Sequence, residues 1–303
     1  MRRSIVLATV IGTGLFTIAV FGQQPAPAPA AGASRFPPVD SIEKVADNLY
    51  RIPGGGGNSA VLVHAGGVLL VDTKLVNNGQ AMLNLVKTVT DKPVTHIVNT
   101  HTHGDHTGSN AEFPASVEIV VQENTKANME KMDAFKSEAG KVGLPDKTFK
   151  DKMTLLSGKD AVDLYYFGPG HTNGDAFVVF RASRVMHAGD IFARKGQPLL
   201  DVSNGGSGIA IPDTLAKAAA GIKNVDRVIT GHSDVMAWQD FVDYGEFNKL
   251  FLAHARASLA ANKTPEQAMA DFKLPEKFKG YNLNPGGGVP GGNFNVIYGE
   301  LKK

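Results

Sequence analysis

The sequence predicts an α/β fold, and two observations carry that reading. Apolar runs of strand length alternate with stretches of helical spacing along most of the chain. Four of the strand-like runs end in short polar or glycine-containing turns that carry His or Asp. In α/β sheets the loops beyond the carboxyl ends of the strands form the ligand crevice. Four such turns can therefore meet at one place.

The first residues read as an export signal, which implies a periplasmic or secreted protein. Arg2 and Arg3 give a positive start, Ile5 to Phe21 is an apolar run broken by Gly12 and Gly14, and Ala19 and Gly22 are small. Cleavage near Gly22 is expected; the alternative is an uncleaved anchor, for which the run is short. Gln23 to Pro38 is almost entirely Pro, Ala and Gly, the composition of an extended tether. A single folded domain is expected over residues 39–303, since no second linker follows.

The domain opens with strands. Leu49 to Ile52 is one, Gly54 to Gly57 makes a turn, and Ala60 to His64 with Val68 to Asp72 forms a hairpin around Ala65-Gly66-Gly67. Met82, Leu83, Leu85 and Val86 share a helical face, so a helix is expected from about Asn78 to Thr88. The strand at Pro93 to Asn99 runs into HTHGDH at 101–106. Val117 to Val121 is a strand followed by a polar helix, and Lys131 to Asp160, polar and containing Gly and Pro, shows no clear element and is a candidate lid. Val162 to Phe167 leads into Gly168-Pro169-Gly170-His171, and Ala176 to Phe180 with Arg184 to His187 leads into Gly189-Asp190. Pro212 to Gly221 is helical, and Arg227 to Thr230 enters Gly231-His232. A long helix follows from Trp238 to about Ala261, then a capping box at Thr264-Pro265-Glu266-Gln267. Phe294, Ile297, Tyr298 and Leu301 share one face of a final docked helix.

HTHGDH places three histidines and a carboxylate within six residues. His101 and His103 are two apart, so an extended segment points both imidazoles the same way. Gly104 permits a tight turn that carries Asp105 and His106 toward a second position. Imidazole suits Zn, Cu, Fe and Ni, and an added carboxylate favours Zn or Fe. The 303 residues carry a net charge of +2 with basic residues scattered, which leaves no footprint for nucleic acid or an anionic membrane. Cysteine is absent, so thiolate ligands, disulfides and a cysteine nucleophile are excluded. His64, His96 and His254 lie in apolar strands or a long helix and read as structural, as does His187. Asp72, at a strand end, reads either as a group orienting a ligand histidine or as a plain strand-end carboxylate. Thr172 and Asn173 are expected to shape the turn after His171, and Gly205 to Gly208 and Gly286 to Gly288 read as mobile or ordinary surface loops.

HTHGDH at 101–106, PGHTNGD at 169–175, HAGD at 187–190 and GH at 231–232, in that order, resemble the metallo-β-lactamase superfamily; VDT at 71–73 is similar to its early strand. The resemblance covers about Glu43 to His232. It implies a four-layer αββα sandwich with metals at one edge of two sheets. It further implies one zinc held by His101, His103 and His171, a second by Asp105, His106 and His232, and Asp190 bridging the two. Two zincs per chain would place a hydroxide on a carbonyl or related centre, with Asp105 accepting a proton as the catalytic residue. The lack of cysteine sets aside the β-lactamase classes with a cysteine ligand, and a bridging Asp190 departs from the remaining class. The expected activity is therefore hydrolysis of a small ester, lactone or amide, with β-lactams secondary. Export argues against tRNA-processing and glyoxalase roles. The alternative on the same scaffold is a mononuclear-iron oxidoreductase of the persulfide dioxygenase type, with iron held by two histidines and one aspartate.

Overall fold

Side chains alternate across a strand, and here that alternation sorts the core into layers. In the computed structural model, which describes residues 36–283 and 291–303, the chain builds two mixed sheets. The first contains β1 (Glu43–Ala46), β2 (Leu49–Ile52), β3 (Ser59–His64), β4 (Gly67–Val71), β5 (Val94–Val98), β6 (Glu118–Gln122) and β7 (Lys147–Phe149), in that spatial order. Its first four strands pair antiparallel, and β4 to β7 pair parallel. Helix α1 (Gly79–Lys87) makes the crossover from β4 to β5. The short α2 (Gly104–Thr107) and α3 (Glu123–Met129) follow β5 and β6, and α4 (Glu138–Lys141) precedes β7.

The second sheet contains β8 (Lys152–Leu155), β9 (Val162–Tyr165), β10 (Phe177–Phe180), β11 (Val185–Gly189), β12 (Arg227–Thr230) and β13 (Met236–Ala237). All its pairs are antiparallel except β11 with β12, which are parallel because α5 (Ile211–Gly221) crosses between them. Then come α6 (Trp238–Ala260), α7 (Pro265–Asp271) and α8 (Asn293–Leu301).

Leu69 and Val71 of β4 share a buried cluster with Val178 and Phe180 of β10, which is the layer between the sheets. The intervening residues face outward. Val68 and Leu70 pack with Met82 and Val86 of α1. Phe177 and Val179 pack with Leu215 of α5, Phe241 and Phe251 of α6, and Phe294 of α8. Strands buried on both faces between helix layers make the helix–sheet–sheet–helix order that the sequence leads one to expect.

Most expected elements appear within a residue or two. The capping box forms: Gln267 N donates to Thr264 Oγ1 and Thr264 N to Gln267 Oε1. Phe294, Ile297 and Tyr298 are buried on α8. The stretch from Lys131 to Asp160, in which the sequence shows no clear element, is built of short elements. It supplies β7 and β8, edge strands whose residues are mostly exposed. An edge strand carries no apolar period, which is why these escaped the pattern; β1 and β13 escaped likewise. The export signal and Gly286 to Gly288 lie outside the described residues. Of the tether, Phe36 to Pro38 are described: Pro37 O accepts from Gly55 N, and the Phe36 ring stacks 5.8 Å from that of His232.

Candidate metal centre

Four strand ends deliver the cluster. β5 runs into His101 and His103, and the single turn of α2 then carries Asp105 and His106. The turn there is helical, with ordinary φ at Gly104 and open space at its Cβ position, so no steric demand for glycine exists at that residue. The loop after β9 supplies His171, Asp190 directly follows β11, and His232 comes two residues after β12. Their ligand atoms form two adjacent groups that could hold metal ions: His101, His103, His171 and Asp190, and then Asp105, His106 and His232. Within each group the atoms lie within 4.8 Å of one another.

Asp190 sits between the groups. Its oxygens are 3.8 Å from His171 Nε2, 3.3 Å from His106 Nε2 and 3.2 Å from His232 Nε2. His232 Nε2 is also 3.3 Å from Asp105 Oδ2. A side chain at Gly231 would place its Cβ 2.0 Å from Asp190 Oδ1, so glycine there leaves room for the carboxylate.

Outer groups fix which nitrogen four of the rings present. His103 Nε2 meets Asp201 Oδ2 at 2.7 Å, leaving Nδ1 toward the cluster, 3.0 Å from His171 Nε2. His171 Nδ1 donates to Leu199 O at 2.9 Å. His106 Nδ1 meets Asp72 Oδ2 at 2.7 Å. Thr100 Oγ1 donates to Asp72 and lies 3.0 Å from His101 Nδ1, so it accepts that proton. Asp72 thus holds the His106 ring, the arrangement the first of its two sequence readings expects. This arrangement, a carboxylate or carbonyl behind the ring, is what sets the tautomer of metal-binding histidines.

The donor set fits metal ions. His101 Nε2, His106 Nε2 and Asp190 Oδ1 are buried without a hydrogen bond, an expensive state unless a cation shares them. Burial, then the neighbouring His106, His171 and His103, hold His101 well below the usual histidine range. Burial likewise pushes His171 down to about 4 despite Asp190. Both imidazoles are thus neutral, the form that ligates. At His232 burial also lowers the group, but Asp105 and Asp190 outweigh it and raise the group to about 9. At His106 burial is outweighed by Asp72 and Asp190. The carboxylates draw positive charge to this half of the site.

Other histidines stay apart. His187 is buried with Nε2 on Asn58 O and Nδ1 accepting from Gly189 N. His64 and His96 share Thr95, and His254 bonds Ala268 O. Thr172 does shape its turn: its N and Oγ1 donate to buried Asp175, whose carboxyl burial pushes up to about 7. Asn173 O accepts from Asn124 and Tyr166. Three residues carried no signal in the sequence: Asp201, Asn58, and Lys74, a fully buried lysine that donates to Ile52 O and Gly57 O at 2.5 Å each. Burial pushes Lys74 down to about 7.

The family model described as "Metallo-beta-lactamase superfamily" matches residues 52–234. "Metallo-beta-lactamase type 2" of Bacteroides fragilis is 25% identical over 206 residues, 64% of this chain and 79% of that protein. Among solved structures, the stereoselective inverting sec-alkylsulfatase Pisa1 from Pseudomonas sp. aligns over 86% of this chain with a TM-score of 0.73 at 14% identity. This chain spans 50% of the alkylsulfatase's length. The DIM-1 metallo-beta-lactamase aligns over 71% of this chain and 99% of its own, with a TM-score of 0.59 at 18% identity. At such identities the structural likeness is one of fold. The family match covers well over half of the 303 residues and every strand-end turn of the cluster, and the chain belongs to the metallo-beta-lactamase superfamily.

Proposed function

We propose that this metal-dependent hydrolase is an exported enzyme that binds two zinc ions and cleaves a small ester, lactone or amide. The observation that carries the reading is Asp190, whose carboxylate lies between two adjacent His/Asp groups. His101, His103 and His171 are the ligands assigned to one zinc, and Asp105, His106 and His232 those assigned to the other, with Asp190 shared. Bound zinc supplies a nucleophile from water at neutral pH and polarises the substrate oxygen.

The protein's own contribution is position and proton handling. Asp105 is held below the usual carboxylate range: burial opposes this, but His232 and His106 outweigh it. Asp105 is therefore ionised at neutral pH, and its Oδ2 can accept a proton during turnover. Asp72 and Asp201 keep His106 and His103 in one orientation each. Seven ligand side chains support a two-metal reading over the mononuclear iron alternative, which needs two histidines and one aspartate. β-Lactam hydrolysis is kept as a secondary activity: the similar Bacteroides fragilis protein is named for it, but this chain has no cysteine for a thiolate ligand. Nucleic acid and membrane lipid are not expected partners at a net charge of +2.

A panel of lactones, esters, thioesters and β-lactams assayed with Asp105→Asn and Asp190→Ala tests the reading. Both variants should lose on the order of a hundredfold or more in kcat. Full activity in either, with full metal content, would remove that residue from the site.

A further inference from the structure

The glycine run at 54–57 reads in the sequence as a turn, yet its last residue meets Asp105 and His106, and Asn58 bonds the turn that carries His232. Gly57 N donates to Asp105 O at 3.1 Å. A Cβ on Gly57 would fall 2.1 Å from the His106 ring, so only glycine lets that imidazole lie against the backbone. Asn58 N donates to Gly231 O at 2.7 Å, and its Nδ2 donates to Thr230 O at 2.9 Å and Ser233 O at 2.7 Å. Those three carbonyls flank His232 on both sides. Asn58 O in turn accepts from the buried His187. Neither residue has a hydrogen bond or close approach to His101, His103 or His171 among those the structure shows.

We infer that Gly57-Asn58 is a positioning element for the Asp105/His106/His232 group alone, reaching from the first sheet to the turn at the end of β12 in the second. Two further contacts pin the element and the turn it holds. Lys74 Nζ holds Gly57 O, and Arg51, mostly buried, donates to Ser233 O at 3.1 Å beside Asn58. Asp72 serves both groups, through His106 and through Thr100 beside His101, and beyond it each group has a support of its own. Asp201 steadies His103 in the first, and Gly57-Asn58 steadies the second. Removing a group that orients ligands typically lowers metal affinity about 10–100-fold, and here that loss falls on one metal of the two.

The inference rests on the two-metal reading, and the test separates their failures. The full-length protein, Asn58→Ala and Asp201→Asn are dialysed against graded zinc and analysed for metal per chain, with cobalt substituted in parallel to record the absorption of each site. Wild type should hold about two metals. Asn58→Ala should keep the first and bind the second about 10–100-fold more weakly, and Asp201→Asn should weaken the first. A merely structural role would lower the melting temperature while both metals stayed or left together, and either result overturns the inference. Should Asn58→Ala not fold, Gly57→Ala, which leaves the Asn58 side chain in the sequence and sets a Cβ against the His106 ring, should give the same selective loss. A wild type that holds fewer than two metals overturns both readings.

Discussion

At the scale of single residues, the site is a set of imidazoles and carboxylates held by groups one layer out. Asp72 serves three donors: Thr100 N, Thr100 Oγ1 and His106 Nδ1. Asp72→Ala should therefore weaken metal binding about 10–100-fold, read by equilibrium dialysis against zinc; unchanged affinity would reduce Asp72 to a strand-end carboxylate. The ligand residues were legible because each sits in a short motif at the end of an apolar run. Their supporters were not. Asp201 lies 98 residues from His103, and Asn58 lies 172 residues from Thr230. Nothing local marks a polar loop residue as the partner of a distant ring, since the pairing exists only after the sheets stack.

At the scale of elements, strand ends and edges carry both the chemistry and the failures of pattern reading. The apolar runs of β4, β5, β10 and β11 announce themselves because they are buried on both faces. β7 and β8 are short and largely exposed, so their sequence resembles a loop. Edge pairing is reinforced by side chains instead. Asp163 of β9 accepts from Thr154 of β8 and, through both oxygens, from Arg181 just past β10. Burial raises the Asp163 carboxyl, but Arg181 and Thr154 outweigh it and bring the group below its usual value. A depressed carboxylate stabilises the fold above its unfolded pKa, about 3.9, and that stability is lost as pH falls through the lower folded value. The acid limb of a melting-temperature profile should accordingly flatten in Asp163→Asn, and an unaltered limb would show that the bridge contributes nothing. Lys74 is the comparable device beneath the glycine turn. Lys74→Met leaves the Ile52 and Gly57 carbonyls without their donor, a cost of about 1–3 kcal/mol for each buried group left unpaired. Urea titration should show that loss, and a midpoint within error of wild type would contradict it.

At the scale of the whole molecule, the two sheets are joined by an apolar layer and, at one edge, by the cluster. The ligands come from both sheets: β5 and α2 belong to the first, and β9, β11 and β12 lead into the second set. Metal ions bound there would link the sheets and stabilise the folded state by mass action, about 2.7 kcal/mol at a hundredfold excess over Kd. Chelation should then lower the melting temperature as well as abolish turnover, with zinc restoring both. A melting temperature indifferent to chelator would place the metals outside the folding equilibrium. The central claim is tested most directly by elemental analysis of the full-length protein purified without added metal. About two zincs per chain is the expected result and would justify the hydrolytic panel. About one iron per chain would contradict the two-zinc account and turn the search to oxygen-dependent sulfur chemistry.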